Sequence, residues 1–285
     1  MPHIRLLSLV GDRLSSIQSI LAFERWKGYP QFDNDGGFGR VALLACVLGS
    51  ILGAHVVLFS QLLVVHLRWL PKQVFGDYWS DETLHMAMQW TVYVIALCAF
   101  HLAEFFATAV FNPSATSADS FMVNHSKAYT AAAMISCAEF WVRAFSFRGC
   151  NSPRIYHWGI LFVLFGQLCR LGAMITCGEC FNHYIQRDRK ENHVLVTHGI
   201  YGIFRHPSYV GFYYWALGTQ LVLCNPISTV LYGMAAWTFF RYRIAYEEET
   251  LRKLFPGGVY ESYAARTYIG IPFIRLALRF DDKNR

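Results

Sequence analysis

The chain has 285 residues, of which 54% are hydrophobic and only 15% are charged. Soluble domains carry about 25% charged residues, so this composition excludes an ordinary soluble domain and favours a protein of the lipid bilayer. The net charge is +6. Because the basic residues are scattered and form no dense stripe, the charge does not indicate a nucleic-acid-binding surface.

Apolar segments long enough to cross a membrane follow one another along most of the chain. A weak candidate comes first, at residues 3–23, where Asp12, Arg13 and Gln18 interrupt the run and an interfacial amphipathic helix is an alternative. A spanning helix needs roughly 20 mostly apolar residues. Six segments satisfy this requirement clearly: 41–66, 84–111, 128–147, 155–180, 208–224 and 227–244. The sequence therefore predicts an all-α polytopic membrane protein.

The last two segments are separated only by Asn225-Pro226. Proline cannot continue the preceding helix, so residues 208–244 are predicted to form a helical hairpin whose two ends emerge on the same side. That side is basic, because Lys and Arg are concentrated in 181–207 and beyond residue 240. The positive-inside rule places both stretches in the cytoplasm.

The stretch after the hairpin predicts a helix that leaves the membrane and ends at Pro256. On a helix, residues four apart share a face, so Glu248 is expected to pair with Arg252 at the surface. Glu247 has Arg243 one turn upstream. Either these two form an ordinary surface pair, or they belong to a site at the membrane boundary, where a charge usually has a purpose. The spacing leaves both interpretations open.

Several kinds of chemistry lack a sequence signal. Phosphate-loop and zinc-protease motifs are absent, and the polar-segment histidines have no metal-ligand spacing, so we predict no metal. The eight cysteines fall mostly in apolar runs and are expected to be small buried hydrophobes. Arg205 at the head of the hairpin is explained equally by snorkelling to the interface or by a catalytic role.

The polar segments resemble one family. The matching motifs are Asn182-His183-x-x-Gln186, His193-x-Leu195-Val196-Thr197-x-Gly199-x-Tyr201, Arg205-His206-Pro207-Ser208-Tyr209-x-Gly211, Asn225-Pro226 and Arg243-x-x-x-Glu247-Glu248. Together with upstream matches such as Asp119-Ser120-Phe121 and Asn124-His125-Ser126, they resemble the isoprenylcysteine carboxyl methyltransferases of the endoplasmic reticulum over roughly residues 84–275.

The resemblance implies methyl transfer from S-adenosylmethionine to the free carboxylate of a C-terminal prenylcysteine, leaving S-adenosylhomocysteine. It implies prenylated proteins such as small GTPases as partners, besides membrane lipid. It also implies six to eight transmembrane helices and a cytoplasm-facing cofactor pocket built from the C-terminal half. Residues 1–83 would be an N-terminal membrane region and 84–285 the methyltransferase core, with cytosolic cofactor-binding segments 181–207 and 239–275.

By the same resemblance, Arg243 and Glu247 are the expected catalytic residues, with Arg243 facing the prenylcysteine carboxylate. The expected contacts to the methyl donor are Gln186, His193, Val194, Leu195, Val196, Tyr201, His206, Pro207, Ser208, Tyr209 and Glu247. An aromatic group that includes Phe212, Tyr213 and Trp215 is a candidate lining for a lipid-facing opening. An interfacial belt or plain helix packing explains these aromatics equally well.

Three other classes remain open from the sequence. A phospholipid or other lipid methyltransferase would share the donor site and differ in the acceptor pocket. A sterol reductase would need a hydride-donor site, for which no independent signal is present. A membrane protein without enzymatic activity would bind no S-adenosylmethionine.

Overall fold

The computed structural model describes residues 35–67, 81–123, 127–146, 152–181 and 194–274. Within these ranges the chain is helical, and the α-helices are α1 Asp35–His66, α2 Asp81–Phe111, α3 Lys127–Ser146, α4 Pro153–Cys177, α5 Pro207–Val222, α6 Pro226–Leu254 and α7 Val259–Arg266. The predicted all-α class is confirmed. The weak segment 3–23 lies outside the described residues.

Each of the six predicted apolar segments lies in a helix. Five of these helices have both ends within six residues of the prediction, whereas the sixth continues ten residues beyond the predicted end at 244. Among the described residues, three helical segments are long and apolar enough to cross a membrane, namely Gly39–His66, Glu82–Phe111 and Pro153–Cys180. Helix α5 has only 16 residues, about 24 Å, which is shorter than a bilayer core of about 30 Å. Helix α6 begins apolar but ends in a charged segment. The count of six to eight spans stays a prediction.

Proline sets the start of three helices. Pro153, Pro207 and Pro226 each occupy the first turn of their helix, where the missing N–H removes no helical hydrogen bond. Helix α6 runs for 29 residues from Pro226 to Leu254, so the second helix of the hairpin and the predicted helix that leaves the membrane are one continuous element. It ends before Gly257 and Gly258, whose φ angles of 77° and 78° are readily adopted only by glycine.

The tightest contact in the molecule joins α4 to α5. A Cβ atom on Gly211 of α5 would lie 2.6 Å from the backbone N of Arg170, and one on Gly218 would lie 2.6 Å from the backbone N of Val163. On α4, Gly159 and Gly166 face the backbone of α5 in the same way. Without side chains at these glycines the two backbones touch, as small residues permit in membrane helices.

A buried polar network ties α3 to the turn between α5 and α6. The Ser136 hydroxyl donates to Gln220 Oε1 at 2.7 Å, and Asn225 Nδ2 donates to the Ser136 carbonyl at 2.9 Å. All three residues are fully buried. The network fixes the predicted hairpin turn, in which Cys224 adopts a left-handed φ of 53°. Because unpaired polar groups are costly in an apolar surrounding, this network aligns α3 with the hairpin.

We expect Gly211→Ala to destabilise the protein, since the added methyl has only backbone atoms to displace. Overpacking of this kind costs about 1–3 kcal/mol, which lowers the midpoint of thermal unfolding by roughly 2–4 °C per kcal/mol. Thermal unfolding in detergent measures the effect. The matched control is Gly53→Ala in α1, where a Cβ would have nothing within 4 Å. Equal midpoints for the two variants would contradict the close α4–α5 contact.

Candidate functional site

A cavity of about 640 Å³ lies among α2, α3, α4, α5, α6 and the segment 194–208. Its size falls in the range of about 300–1,000 Å³ that is usual for small-molecule sites. One end, here called the polar chamber, is lined by Val194–Val196, Tyr201, His206, Arg243 and Glu247. The other end, here called the apolar slot, runs between α3 and α6. The two ends form one continuous space.

The polar chamber is organised around the Tyr209 hydroxyl. This hydroxyl donates to Glu247 Oε2 and accepts a hydrogen bond from Arg243 Nε at 2.8 Å. The His206 ring stacks on the Tyr209 ring with a centroid distance of 5.5 Å and an interplanar angle of 3°. Arg243 and Glu247, four residues apart on α6, are thus joined through a residue of α5. The arrangement favours a site at the membrane boundary over an ordinary surface pair.

Arg205, which lines the cavity, forms a buried ion pair with Glu248. Arg205 Nε donates to Glu248 Oε1 at 2.7 Å, and the two side chains are only 9% and 6% exposed. Arg205 Nη1 also donates to the carbonyl oxygens of Ala264 and Thr267, at 2.7 Å and 2.9 Å. Arg205 is therefore neither a snorkelling residue nor free for catalysis. It fastens α7 and the strand-like segment after it against the start of α5.

Glu248 was expected to pair with Arg252 at the surface, and this expectation is wrong, because its main partner is the buried Arg205. Arg252 is a secondary contact at 3.4 Å, whereas Arg205 and His206 approach the other carboxylate oxygen at 2.7 Å and 3.3 Å. Burial acts to raise the Glu248 pKa, but the hydrogen bond and charge of His206 and the charge of Arg205 outweigh it, and the net pKa is lowered. The neighbouring pair Glu249–Lys253 is exposed at 2.8 Å, as expected.

A second buried ion pair supports the chamber from α2 and α4. Arg170 Nε and Nη2 donate to the two oxygens of Glu104 at 2.7 Å and 2.8 Å, which is the bidentate geometry that suits guanidinium. Arg170 Nη1 donates to the Ser208 hydroxyl at 2.6 Å. Glu104 is fully buried and Arg170 is 6% exposed. Arg170 lines the cavity, so Ser208 reaches the site with its hydroxyl already engaged.

Tyr201 closes the chamber on the side of α7. Its carbonyl oxygen accepts a hydrogen bond from the Tyr263 hydroxyl at 2.8 Å. Burial raises the pKa of Tyr201 well above its ordinary value, and the nearby Cys177 and Glu247 act in the same direction. Its phenol therefore stays neutral at every physiological pH, and it is hydrogen-bonded to the Cys177 side chain.

The apolar slot has two helical walls. On α3 the wall includes Ala128, Ala132 and Ile135, which share one face, together with Tyr129. The α6 wall is a longer stripe on one face: Ser228, Leu231, Tyr232, Ala235, Ala236, Phe239 and Phe240, continuing to Arg243 and Glu247. Because the same helix carries the apolar stripe and the charged residues, the slot leads directly to the polar chamber.

The structure brings most of the expected site residues together. The residues on the cavity wall are Val194, Leu195, Val196, Tyr201, His206, Pro207, Ser208, Tyr209, Phe212, Arg243 and Glu247. Gln186 and His193 lie outside the described residues. Tyr213 and Trp215 are not on the wall. Tyr213 packs in the α4–α5–α6 core, while Trp215 is 3% exposed and stacks on Phe100 at 4.1 Å.

Sequence reasoning missed Arg170 and Glu104. They are charged residues inside two of the most apolar spans, which is itself a signal, because intramembrane charges are rare and usually functional. Their partnership links residues 66 positions apart. No local sequence motif indicates a contact between residues so far apart in the chain.

The fold and the cavity define a membrane protein in which a chamber lined by charged and aromatic side chains opens into an apolar slot. Residues 159–253 match the model of the isoprenylcysteine carboxyl methyltransferase family. The protein-S-isoprenylcysteine O-methyltransferase of Mus musculus is 40% identical over 238 residues, covering 83% of this chain and 76% of that protein. The same-named enzyme of Saccharomyces cerevisiae is 35% identical, covering 82% of this chain and 91% of that protein.

A solved structure agrees with these relatives. It is described as the eukaryotic intramembrane Ras methyltransferase, isoprenylcysteine carboxyl methyltransferase, without a monobody. It is 30% identical, covers 94% of this chain and 86% of its own, and superposes with a TM-score of 0.73. The chain belongs to the isoprenylcysteine carboxyl methyltransferase family and is a methyltransferase.

We expect Glu248→Gln to destabilise the fold strongly, because it leaves the buried Arg205 without its counter-ion. Breaking a buried pair costs about 3–5 kcal/mol. The neighbouring Glu249→Gln removes only an exposed pair, which contributes about 1 kcal/mol or less. Thermal unfolding in detergent compares the two variants. Similar losses in both would contradict the structural role of Glu248.

The same pair predicts a pH dependence. The folded-state pKa of Glu248 is lowered. Its contribution to stability is therefore fully present above the unfolded-state pKa of about 4.3 and is lost as the pH falls through the lower folded-state value. The wild type should lose thermal stability between pH 5 and pH 3 more steeply than Glu248→Gln. Parallel curves for the two proteins would show that Glu248 does not titrate in this way.

Proposed function

We propose that the chain transfers a methyl group from S-adenosylmethionine to the free carboxylate of a C-terminal prenylcysteine, forming a methyl ester. The names of the relatives support this acceptor. The observation that carries the proposal is the junction at Arg243. There, a charged chamber opens into an apolar slot that follows the same helix, within one cavity of about 640 Å³. An enzyme that joins a water-soluble donor to a lipid-modified acceptor needs such a junction.

The acceptor carboxylate requires no general base. A C-terminal α-carboxyl group has a pKa of about 3.3–3.7, so it is already an anionic nucleophile at neutral pH. The requirement is orientation, for which effective molarities on the order of 10⁵ M or more are known. Arg243 is suited to hold the carboxylate through one oxygen. Its Nε donates a hydrogen bond to the Tyr209 hydroxyl, and this bond fixes the orientation of the guanidinium group.

The polar chamber fits the methyl donor. When bound, S-adenosylmethionine supplies an electrophilic methyl group on a sulfonium centre. Glu247, 24% exposed, places a carboxylate where it can receive the amino group and offset the positive charge. His206 and Tyr209 form an aromatic wall at the first turn of α5, and Val194–Val196 line the same cavity. We assign donor contacts also to Gln186, His193, Tyr201 and Pro207, and an indirect one to Ser208.

The apolar slot takes the isoprenoid chain. Alanines on both facing helices leave room for branched methyl groups, and Phe212 forms part of the wall. Tyr213 and Trp215 are omitted from the proposed acceptor site, since both pack in the helical core. The partners would be prenylated proteins, and the solved relative's description as a Ras methyltransferase supports small GTPases among them.

We assign the protein to the endoplasmic reticulum membrane, crossed six to eight times, with the chamber facing the cytoplasm. The excess of Lys and Arg in 181–207 and beyond residue 240 supports this orientation. Residues 84–285 would then form the methyltransferase core. Residues 1–83 would form the N-terminal membrane region.

The decisive assay supplies purified protein with radiolabelled S-adenosylmethionine and either farnesylcysteine or phosphatidylethanolamine. Label is expected in a base-labile methyl ester of farnesylcysteine. Label confined to the lipid amine would assign the protein to the lipid methyltransferases. Absence of label in both acceptors would refute the proposed methyl transfer.

Arg243→Ala tests the assigned acceptor contact. Loss of a hydrogen bond to a charged group costs about 1.5–3 kcal/mol, so the kcat/KM for farnesylcysteine should fall roughly 10- to 100-fold. Binding of S-adenosylhomocysteine, measured by calorimetry, should change much less. Arg252→Ala, with a side chain 49% exposed, is the control and should retain activity. If Arg243→Ala lowers acceptor use and donor binding equally, the proposed contact between Arg243 and the acceptor carboxylate is contradicted.

A further inference from the structure

The Tyr209 hydroxyl connects the two charged residues of α6 that face the cavity. Arg243 and Glu247 are four residues apart, and oppositely charged side chains with that spacing are close enough to pair directly on a helix. In this structure the hydroxyl of a residue of α5 is hydrogen-bonded to both of them. A tyrosine of another helix thus stands where a direct ion pair would be the ordinary arrangement.

The chemistry of the three groups sets the direction of both hydrogen bonds. A guanidinium group carries only donors, so Arg243 Nε donates to the Tyr209 oxygen, at 2.8 Å. The hydroxyl has a single proton, and that proton is donated to Glu247 Oε2. Tyr209 therefore accepts from the cation and donates to the anion at the same time. A phenylalanine at this position could do neither.

Contacts of the Tyr209 ring hold the hydroxyl in this place. The His206 ring stacks on it with an interplanar angle of 3°, and the Phe240 ring stacks on it at 5.0 Å. The Arg243 guanidinium lies 5.4 Å from the centre of the same ring, within the range of a cation–π contact. These contacts involve the ring rather than the hydroxyl, so we expect phenylalanine to preserve them.

Each of the two charges has a proposed ligand. Glu247 is assigned to the amino group of the methyl donor, and Arg243 is assigned to the acceptor carboxylate. In a direct ion pair each charge would be compensated by the other, and a ligand would have to break the pair before it could bind. A hydrogen bond to a neutral hydroxyl leaves the full charge on both groups, and hydrogen bonds between charged groups are the strong ones.

We propose that Tyr209 is a positioning residue whose hydroxyl acts as a spacer between Arg243 and Glu247 and keeps both charges available to their ligands. Without the hydroxyl, Arg243 and Glu247 close into a direct ion pair, and this pair competes with both ligands. The inference rests on the proposed function and adds to it the residue that separates the two ligand-binding charges.

The first variant is Tyr209→Phe in the purified full-length protein. Binding of S-adenosylhomocysteine, measured by calorimetry, and kcat/KM for farnesylcysteine should each fall roughly 10- to 100-fold, the range for one hydrogen bond to a charged group. The midpoint of thermal unfolding should stay close to that of wild type, because the ring contacts remain and the new ion pair replaces the lost bonds. Tyr213→Phe is the matched control, because Tyr213 lies on the same helix but not on the cavity wall.

The second variant combines Tyr209→Phe with Arg243→Ala and distinguishes a spacer from a simple donor contact. Removal of Arg243 releases Glu247 from the direct ion pair. Binding of S-adenosylhomocysteine should therefore recover to the level of Arg243→Ala alone, while use of farnesylcysteine stays low. A hydroxyl that only contacts the donor, or only supports the fold, gives no recovery when a second side chain is removed.

The remaining outcomes each decide the question. Donor binding that stays weak in the double variant overturns the inference, and so does unchanged donor binding in Tyr209→Phe alone. A large fall in the unfolding midpoint of Tyr209→Phe would show that the hydroxyl is needed for folding, which also overturns it. The proposed function fails separately, if the wild type binds no S-adenosylhomocysteine or does not methylate farnesylcysteine.

Discussion

The backbone contact between α4 and α5 determines where the site can form. At Gly211 the missing side chain lets the backbone of Arg170 pass at a distance that any Cβ would block. Arg170 is thereby placed between Glu104 and Ser208, and the first turn of α5 is held in one rotation. That rotation turns His206 and Tyr209 towards α6. A change at the glycine contact, far from the reacting atoms, is transmitted to both walls of the chamber.

The charged residues around this contact form two groups, namely buried ion pairs and residues of α6 that face the cavity. Glu104 with Arg170, and Glu248 with Arg205, are pairs removed from water, and each is satisfied by further hydrogen bonds. Such pairs contribute specificity of arrangement more than net stability. They leave Arg243 and Glu247, which are both hydrogen-bonded to the Tyr209 hydroxyl, as charged residues that face the cavity from α6. The buried pairs fix the frame in which the facing pair can act on ligands.

The helices were predictable from sequence because their causes are local. Apolar runs of membrane length, and prolines at residues 153, 207 and 226, set helix positions within a few residues. The helix that leaves the membrane was indicated by composition as well, since apolar residues give way to charged ones along α6 without a helix breaker before Pro256. The family motif likewise indicated Arg243, Glu247 and the first turn of α5. Long-range partners escaped prediction: Glu248 was assigned to Arg252 because spacing along one helix cannot reveal Arg205 arriving from another element.

The uninterrupted course of α6 fixes the angular relation between its apolar stripe and its charged end. The stripe that begins at Ser228 lines the same cavity as Arg243 and Glu247, so all of these residues share one face of the helix. Insertion of a single residue between the stripe and Arg243 would rotate the two parts by about 100° relative to each other, and the charged side chains would leave the cavity. Changes in the length of α6 between these two parts are therefore compatible with one continuous cavity only in steps close to whole helical turns.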